Sequence, residues 1–229
     1  MESGWSLKWL HREIMLSATY RLGGVMDARN LAADPDNHLL WRMTPRRLDL
    51  EAWRDAMLAV AGRLDPRVGG RSLDPKNPGV KQDGLPGYSS MIGPHADDPA
   101  QGRRTVYCIV SRYAPNPTMG LFDFPEPNVA SDRRTVTTIP QQQLFVLNSQ
   151  FVHAMAKGLA ARIEQPATSE EDRLRLAWRL AYGRLPDTRE TKLALSFLRS
   201  TGDGGTGQLT VWEQFCHSLL SSNEFTFIN

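Results

Sequence analysis

Cysteine is scarce in this 229-residue chain, which carries only Cys108 and Cys216. Two widely spaced thiols make neither a zinc-ligand set nor a disulfide framework, and two buried free thiols are the expectation. Cys216-His217 has the form of the tail of a haem-attachment motif, but the residue three before Cys216 is Glu213. C-x-x-C-H is therefore absent, and neither covalent haem nor a metal is expected. Long apolar runs are also missing. None approaches the roughly 18–20 residues that span a bilayer, so no membrane span is expected. Charge of one sign is lacking too. Lys and Arg number 27 against 25 Asp and Glu, for a formal net charge of +2. With no long basic run, nucleic-acid binding has little electrostatic support. There is no G-x-S-x-G, no H-E-x-x-H and no phosphate-cradling glycine loop. The N-terminal MESGWSLKWLHREIM lacks the basic and apolar regions of a signal peptide, and taken alone it points to a cytoplasmic chain.

The densest stretch that is present runs from Asp34 to Asp65. Leu50, Trp53, Met57, Val60 and Leu64 recur there at spacings of three and four, which places them on one buried helix face. Pro45 precedes the run, and Gly62 and Pro66 fit its end. The opposite face carries Arg47, Glu51, Arg54 and Asp55. One reading is a carboxylate–guanidinium cluster lining a site. The other, which is the expectation here, is a solvated or domain-docking helix back.

Around this element the pattern is helical. Residues 6–20 read as a helix capped by Ser6, with Leu7, Leu10, Ile14 and Ala18 on one face, expected to pack on something upstream. A polar connector and a short helix over 37–43 lead into the central helix. Residues 66–102 are crowded with Gly, Pro and Asp and read as a long loop or insertion, with His95 as an acid/base or ligand candidate. Residues 103–113, RRTVYCIVSRY, alternate like a strand, and at most a small sheet is expected. Residues 114–139 are irregular and rich in Pro, aromatic and charged groups, the kind of segment that carries binding residues. Helices follow over 140–148, with Thr138 offered as N-cap, and over 150–163, with Phe151, Met155, Leu159 and Ile163 inward and His153 off that stripe and expected to be exposed. Three more helices follow. One runs from Ser169 to Tyr182 and closes at Gly183. One opens at Pro186-Asp187 and carries Leu193, Phe197 and Leu198. The last is capped by Thr210 and Glu213, and Phe225 and Phe227 after it tuck back into the core. The expected fold is mainly α, an orthogonal multi-helix bundle forming a single domain over 1–229.

The ordered series LHREIMLSATYR, DPDNHLLWRMTPRRLDLEAWRDAMLAVAGRLD, RRTVYCIVSR, NVASDRRTVTTIPQQQLFVLNSQFV, RLAYGRLPDTRE and HSLLSSNEF resembles the C-terminal domain of unknown function of planctomycete cytochrome c domain-containing proteins. The resemblance covers nearly the whole chain. It implies an extracytoplasmic setting, an upstream domain or protein partner, and machinery that acts on polysaccharide. The family's usual signal peptide, C-x-x-C-H and preceding domain are not in this sequence, so a domain lacking its N-terminal part is expected.

Two functions follow. The first is a non-catalytic structural or interaction domain, expected because no catalytic constellation stands out. The second is a hydrolase or lyase acting on polysaccharide. In that reading Asp123, Asp132 and Glu51 are the candidate catalytic carboxylates, and Arg54, Arg112, Arg133, Arg134 and Asn128 are the candidate ligand-binding residues.

Overall fold

The computed structural model describes residues 4–69, 102–108, 110, 112, 117–165, 169–200 and 209–228. His95 and most of the 66–102 insertion lie outside the described residues. The chain divides into two compact units, one of Met1–Arg47 with Phe227–Asn229 and one of Leu48–Thr226.

The first unit holds α1 (Leu7–Leu16), α2 (Ala28–Ala33) and a two-stranded antiparallel ribbon of β1 (Arg46–Arg47) and β2 (Phe227–Ile228). Ser6 caps α1 as expected, its hydroxyl accepting the Trp9 N–H. The apolar face of α1 is exposed, however, including Leu7, Leu10 and Ile14. The expected helix over 37–43 is not there. Asp34 accepts the amide N–H groups of His38 and Leu39 at 3.0 and 2.8 Å. The Asn37 side chain binds the backbone of Arg42 on both its faces. Asn37 and Leu40 stand at positive φ. Short polar side chains that bind nearby backbone offer an alternative to the helix ladder, and here they win. The connector just before supplies a helix instead, α2, capped by Asp27.

The second unit contains the hydrophobic core. Its helices are α3 (Leu50–Val60), α4 (Pro117–Leu121), α5 (Pro140–Asn148), α6 (Gln150–Glu164), α7 (Glu170–Tyr182), α8 (Thr188–Ser200), α9 (Val211–Leu220) and α10 (Asn223–Thr226). The stripe predicted for α3 is buried from Leu50 to Val60, and so are Phe151, Met155, Leu159 and Ile163 of α6. Trp53 stacks on Phe122 at 5.4 Å and meets Phe151 at 6.0 Å. Arg162 of α6 donates to the carbonyls of Ala59 and Val60 at 2.8 and 2.9 Å. These are among the last carbonyls of α3, which find no partner within their own helix.

The caps of the C-terminal helices match the residue pattern. Ser169 accepts the Asp172 N–H, Thr210 and Glu213 form a reciprocal box, and Gly183 closes α7 at φ 72°. That left-handed conformation carries no Cβ penalty in glycine. Phe225 is buried in the core.

Some local expectations fail. Helix α5 starts from Ile139 rather than Thr138. Where a strand was expected over 103–113, the described residues 102–108 carry a 3₁₀ turn at Thr105–Tyr107 and one parallel bridge between Asp65 and Arg103, and part of 109–113 lies outside the described residues. The reason is local. Arg54 takes the Arg103 carbonyl and Asp55 takes the Thr105 N–H, so side chains of α3 occupy backbone groups that a strand would offer to a neighbour. The small β element is the ribbon of β1 and β2. Neither Cys216, which is buried, nor Cys108, which is half-buried, is in a disulfide.

Candidate functional site

Three of the eight predicted site residues, Glu51, Arg54 and Arg134, make their contacts at the charged side of α3. One helical residue turns the side chain by about 100°, so Arg54 and Asp55 leave the Trp53 stripe and face the 103–105 segment. Arg54 was expected on a solvated back, but it is fully buried. Its Nη1 donates to the Arg103 carbonyl at 3.0 Å and to the Thr105 hydroxyl at 3.1 Å, and stands 3.8 Å from Asp55 Oδ1. Its guanidinium also lies over the Phe151 ring. The same Asp55 oxygen accepts the Thr105 N–H at 2.8 Å and the Thr105 hydroxyl at 2.5 Å. A buried guanidinium is tolerable only when it is hydrogen-bonded and charge-compensated; the 103–105 segment supplies the acceptors and Asp55 the opposite charge.

Glu51, one turn earlier, receives both prongs of Arg134, with Nη1 to Oε2 at 2.7 Å and Nη2 to Oε1 at 2.6 Å. Arg134 also lies 3.8 Å from Asp49 and over the Phe124 ring at 5.4 Å. Burial alone would raise the Glu51 carboxyl, but the Arg134 fork more than offsets it and holds the group below its ordinary value. Three residues beyond Arg134, Thr137 donates its N–H at 2.9 Å and its hydroxyl at 2.8 Å to Asp123. Asp123 is itself at positive φ. Gln142 Nε2 donates to the Leu121 carbonyl and reaches the Thr137 hydroxyl. The 123–137 segment is thus closed on itself by Asp123 and fastened to α3 by Arg134.

Of the other predicted residues, Asn128 donates to the Arg112 carbonyl at 2.9 Å and to Glu126 at 3.2 Å. Arg112, Asp132 and Arg133 are exposed. The structure therefore brings Glu51 to Arg134, Arg54 to Asp55 and Thr105, and Asn128 to Arg112. Chemically, a general acid needs a carboxyl whose pKa is raised, and Glu51 is shifted the other way.

Reading the sequence residue by residue missed two clusters. Arg184 bridges Glu190 and Glu224, with contacts of 2.6 to 2.8 Å, and holds Glu190 down to about 2. His153, expected to be exposed, is instead half-buried, because His217 of α9 lies edge-on against it at 4.8 Å. Burial and the neighbouring His153 push the His217 imidazole below its ordinary value. Among the described residues no group of three or more His, Cys, Asp or Glu is placed to hold a metal ion, and no helix is long and apolar enough to cross a membrane.

These features define a mainly helical domain whose central helix is tied by its charged face to an irregular segment. The chain belongs to the family described as PSD1, protein of unknown function (DUF1553), whose model matches residues 1–198. No curated protein and no solved structure matches it.

Proposed function

We propose that this chain is a non-catalytic interaction domain that docks onto a partner protein or domain. One observation carries the reading: the charged groups best placed for chemistry are occupied as fasteners. Glu51 is held by the two prongs of Arg134, Asp55 by Thr105, Asp123 by Thr137, and Arg54 by the 103–105 backbone. A group held this way contributes to rigidity, and freeing it for proton transfer would cost the contacts that shape the segment. The resemblance to planctomycete cytochrome-associated proteins supplies the setting, an extracytoplasmic assembly acting on polysaccharide, with this domain carrying no haem of its own. The test is turnover. Purified protein incubated with neutral, carboxylated and sulfated glycans and with simple esters releases no new reducing ends, no unsaturated sugar and no acid. Release that disappears in Glu51→Gln or Asp123→Asn would replace this reading with the hydrolase or lyase reading.

A further inference from the structure

We infer that the extended stretch from Arg134 to Ile139 is an edge strand that pairs antiparallel with the same stretch of a second copy of this chain, about a two-fold axis through Thr137. Thr135, Val136, Thr137, Thr138 and Ile139 are consecutive β-branched residues, the side chains that favour an extended, pleated backbone. The backbone runs from Arg134 to Ile139 without a turn or bend, and every residue of it is exposed. Among the described residues it has no partner strand. One of its edges is already taken. Asp123 accepts the Thr137 N–H at 2.9 Å, and Gln142 Oε1 accepts the Ile139 N–H at 3.5 Å. Main-chain groups of successive residues in an extended chain point to opposite sides, so Val136 and Thr138 aim theirs at the other edge. Among the described residues no hydrogen bond engages the N–H or C=O of either. The inner contacts and the Arg134 fork on Glu51 hold the strand straight before anything pairs with it, so pairing has little left to order.

The occupant follows from what this edge carries and lacks. Open edges are ordinarily blunted by charge or proline, and residues 135–139 contain neither. An uncharged β-branched strand meets its own kind without repulsion, and its own copy is such a strand. With Thr137 opposite the partner's Thr137, Val136 comes opposite the partner's Thr138 and Thr138 opposite the partner's Val136. Both are hydrogen-bonded pairs that exchange N–H and C=O, and they use the groups left open on the outer edge. Thr135 then stands opposite the partner's Ile139, a β-branched pair on one face. Charge fixes the direction. A parallel, in-register pairing would set Arg133 and Arg134 beside their copies, about 4.8 Å away. The antiparallel one moves each at least about 20 Å along the strand from its copy, at roughly 3.3 Å per residue. A two-fold pairing of this kind closes on itself as a dimer.

The experiment uses the full chain in sedimentation equilibrium over a wide concentration range. The expected result is a reversible monomer–dimer equilibrium. Val136→Pro removes an N–H that has no partner in the monomer, so the fold keeps its contacts while the pairing loses donors. It raises the dimer dissociation constant by at least about tenfold, and an unaltered urea midpoint verifies its folding. Register is read by oxidation. In the proposed pairing the two Thr137 Cα atoms lie about 4.5 Å apart, within disulfide reach, whereas the two Thr135 Cα atoms lie about 13 Å apart along the strand. Thr137→Cys therefore gives a covalent dimer, while Thr135→Cys and the unaltered chain, with Cys216 buried and Cys108 half-buried, do not. Three results overturn the inference: a monomer up to about millimolar concentration, association that Val136→Pro leaves unchanged, or Thr135→Cys cross-linking as readily as Thr137→Cys. None of them bears on turnover, so this pairing and the interaction reading stand or fall separately.

Discussion

Replacing Arg54 by Met separates a structural strut from a surface charge. Met keeps most of the aliphatic stem but removes the guanidinium that lies over the Phe151 ring. The Arg103 carbonyl and the Thr105 hydroxyl each lose a donor, and Asp55 loses the cation 3.8 Å away. Removing one partner of a buried charge pair costs about 3–5 kcal/mol. Asp55 retains some solvent access and still accepts from Thr105, so the lower end, about 3 kcal/mol, is expected here. For a chain of this size a urea m-value of about 2–3 kcal/mol/M turns that into a midpoint drop of about 1 M. The comparison is Glu51→Gln, which breaks the Arg134 fork. With both side chains partly exposed, its cost stays below about 1 kcal/mol. Urea titration followed by tryptophan fluorescence measures both, and hydrogen exchange at residues 102–108 shows whether the segment loosens. If Arg54→Met shifts stability by less than about 0.5 kcal/mol, or if Glu51→Gln costs more than Arg54→Met, the strut argument is wrong.

Stability should also depend on pH through His217. Its pKa in the fold lies below the ordinary 6.5, so the unfolded chain binds the proton more readily. The contribution is complete above pH 6.5 and is lost as pH falls from there toward the folded value. Melting temperature between pH 7.5 and 5.5 reads this, and His217→Gln should flatten the slope. Glu190, held at about 2 by Arg184, gives stability that is present above its ordinary 4.5 and lost as pH falls toward 2. Arg184→Leu should move that acid limb upward at a cost of about 1 kcal/mol or less near neutrality, because the cluster is solvent-accessible. A Cβ at Gly102 would overlap the Arg63 carbonyl oxygen, beside the bond from Asp65 N–H to Gly102 O. Gly102→Ala should therefore destabilise by about 1–3 kcal/mol, read in the same urea titration.

The helices were largely legible because their signals are local. The stripe of α3, the spacing-four stripe of α6, the caps at Ser6, Ser169 and Thr210 and the stop at Gly183 each lie within a few residues of the element they control. Where the reading failed, a local pattern lost to a specific competitor. At 37–43 the side chains of Asp34 and Asn37 captured the backbone. At 103–113 the alternation of apolar residues was real, but α3 had already taken the backbone groups of Arg103 and Thr105.

The site follows the same logic at longer range. Arg54 and Thr105 are 51 residues apart, and Glu51 and Arg134 are 83 apart. Nothing in a helix-period pattern says that the polar back of α3 will be covered, so Arg54 looks solvated until the covering segment is placed. The residue types grouped Glu51 and Arg54 of α3 with Arg134 as candidates without showing that any of them meet, and the Glu51–Arg134 fork lies 83 positions apart in sequence. What residue types alone leave open is whether such a meeting is a reaction centre or a clasp. Here the Arg134 donors outweigh burial and hold the Glu51 carboxyl below its ordinary value, which favours the clasp. The irregular segment that looked like a site is thus occupied in holding the fold together, through Arg134 on Glu51 and Thr137 on Asp123.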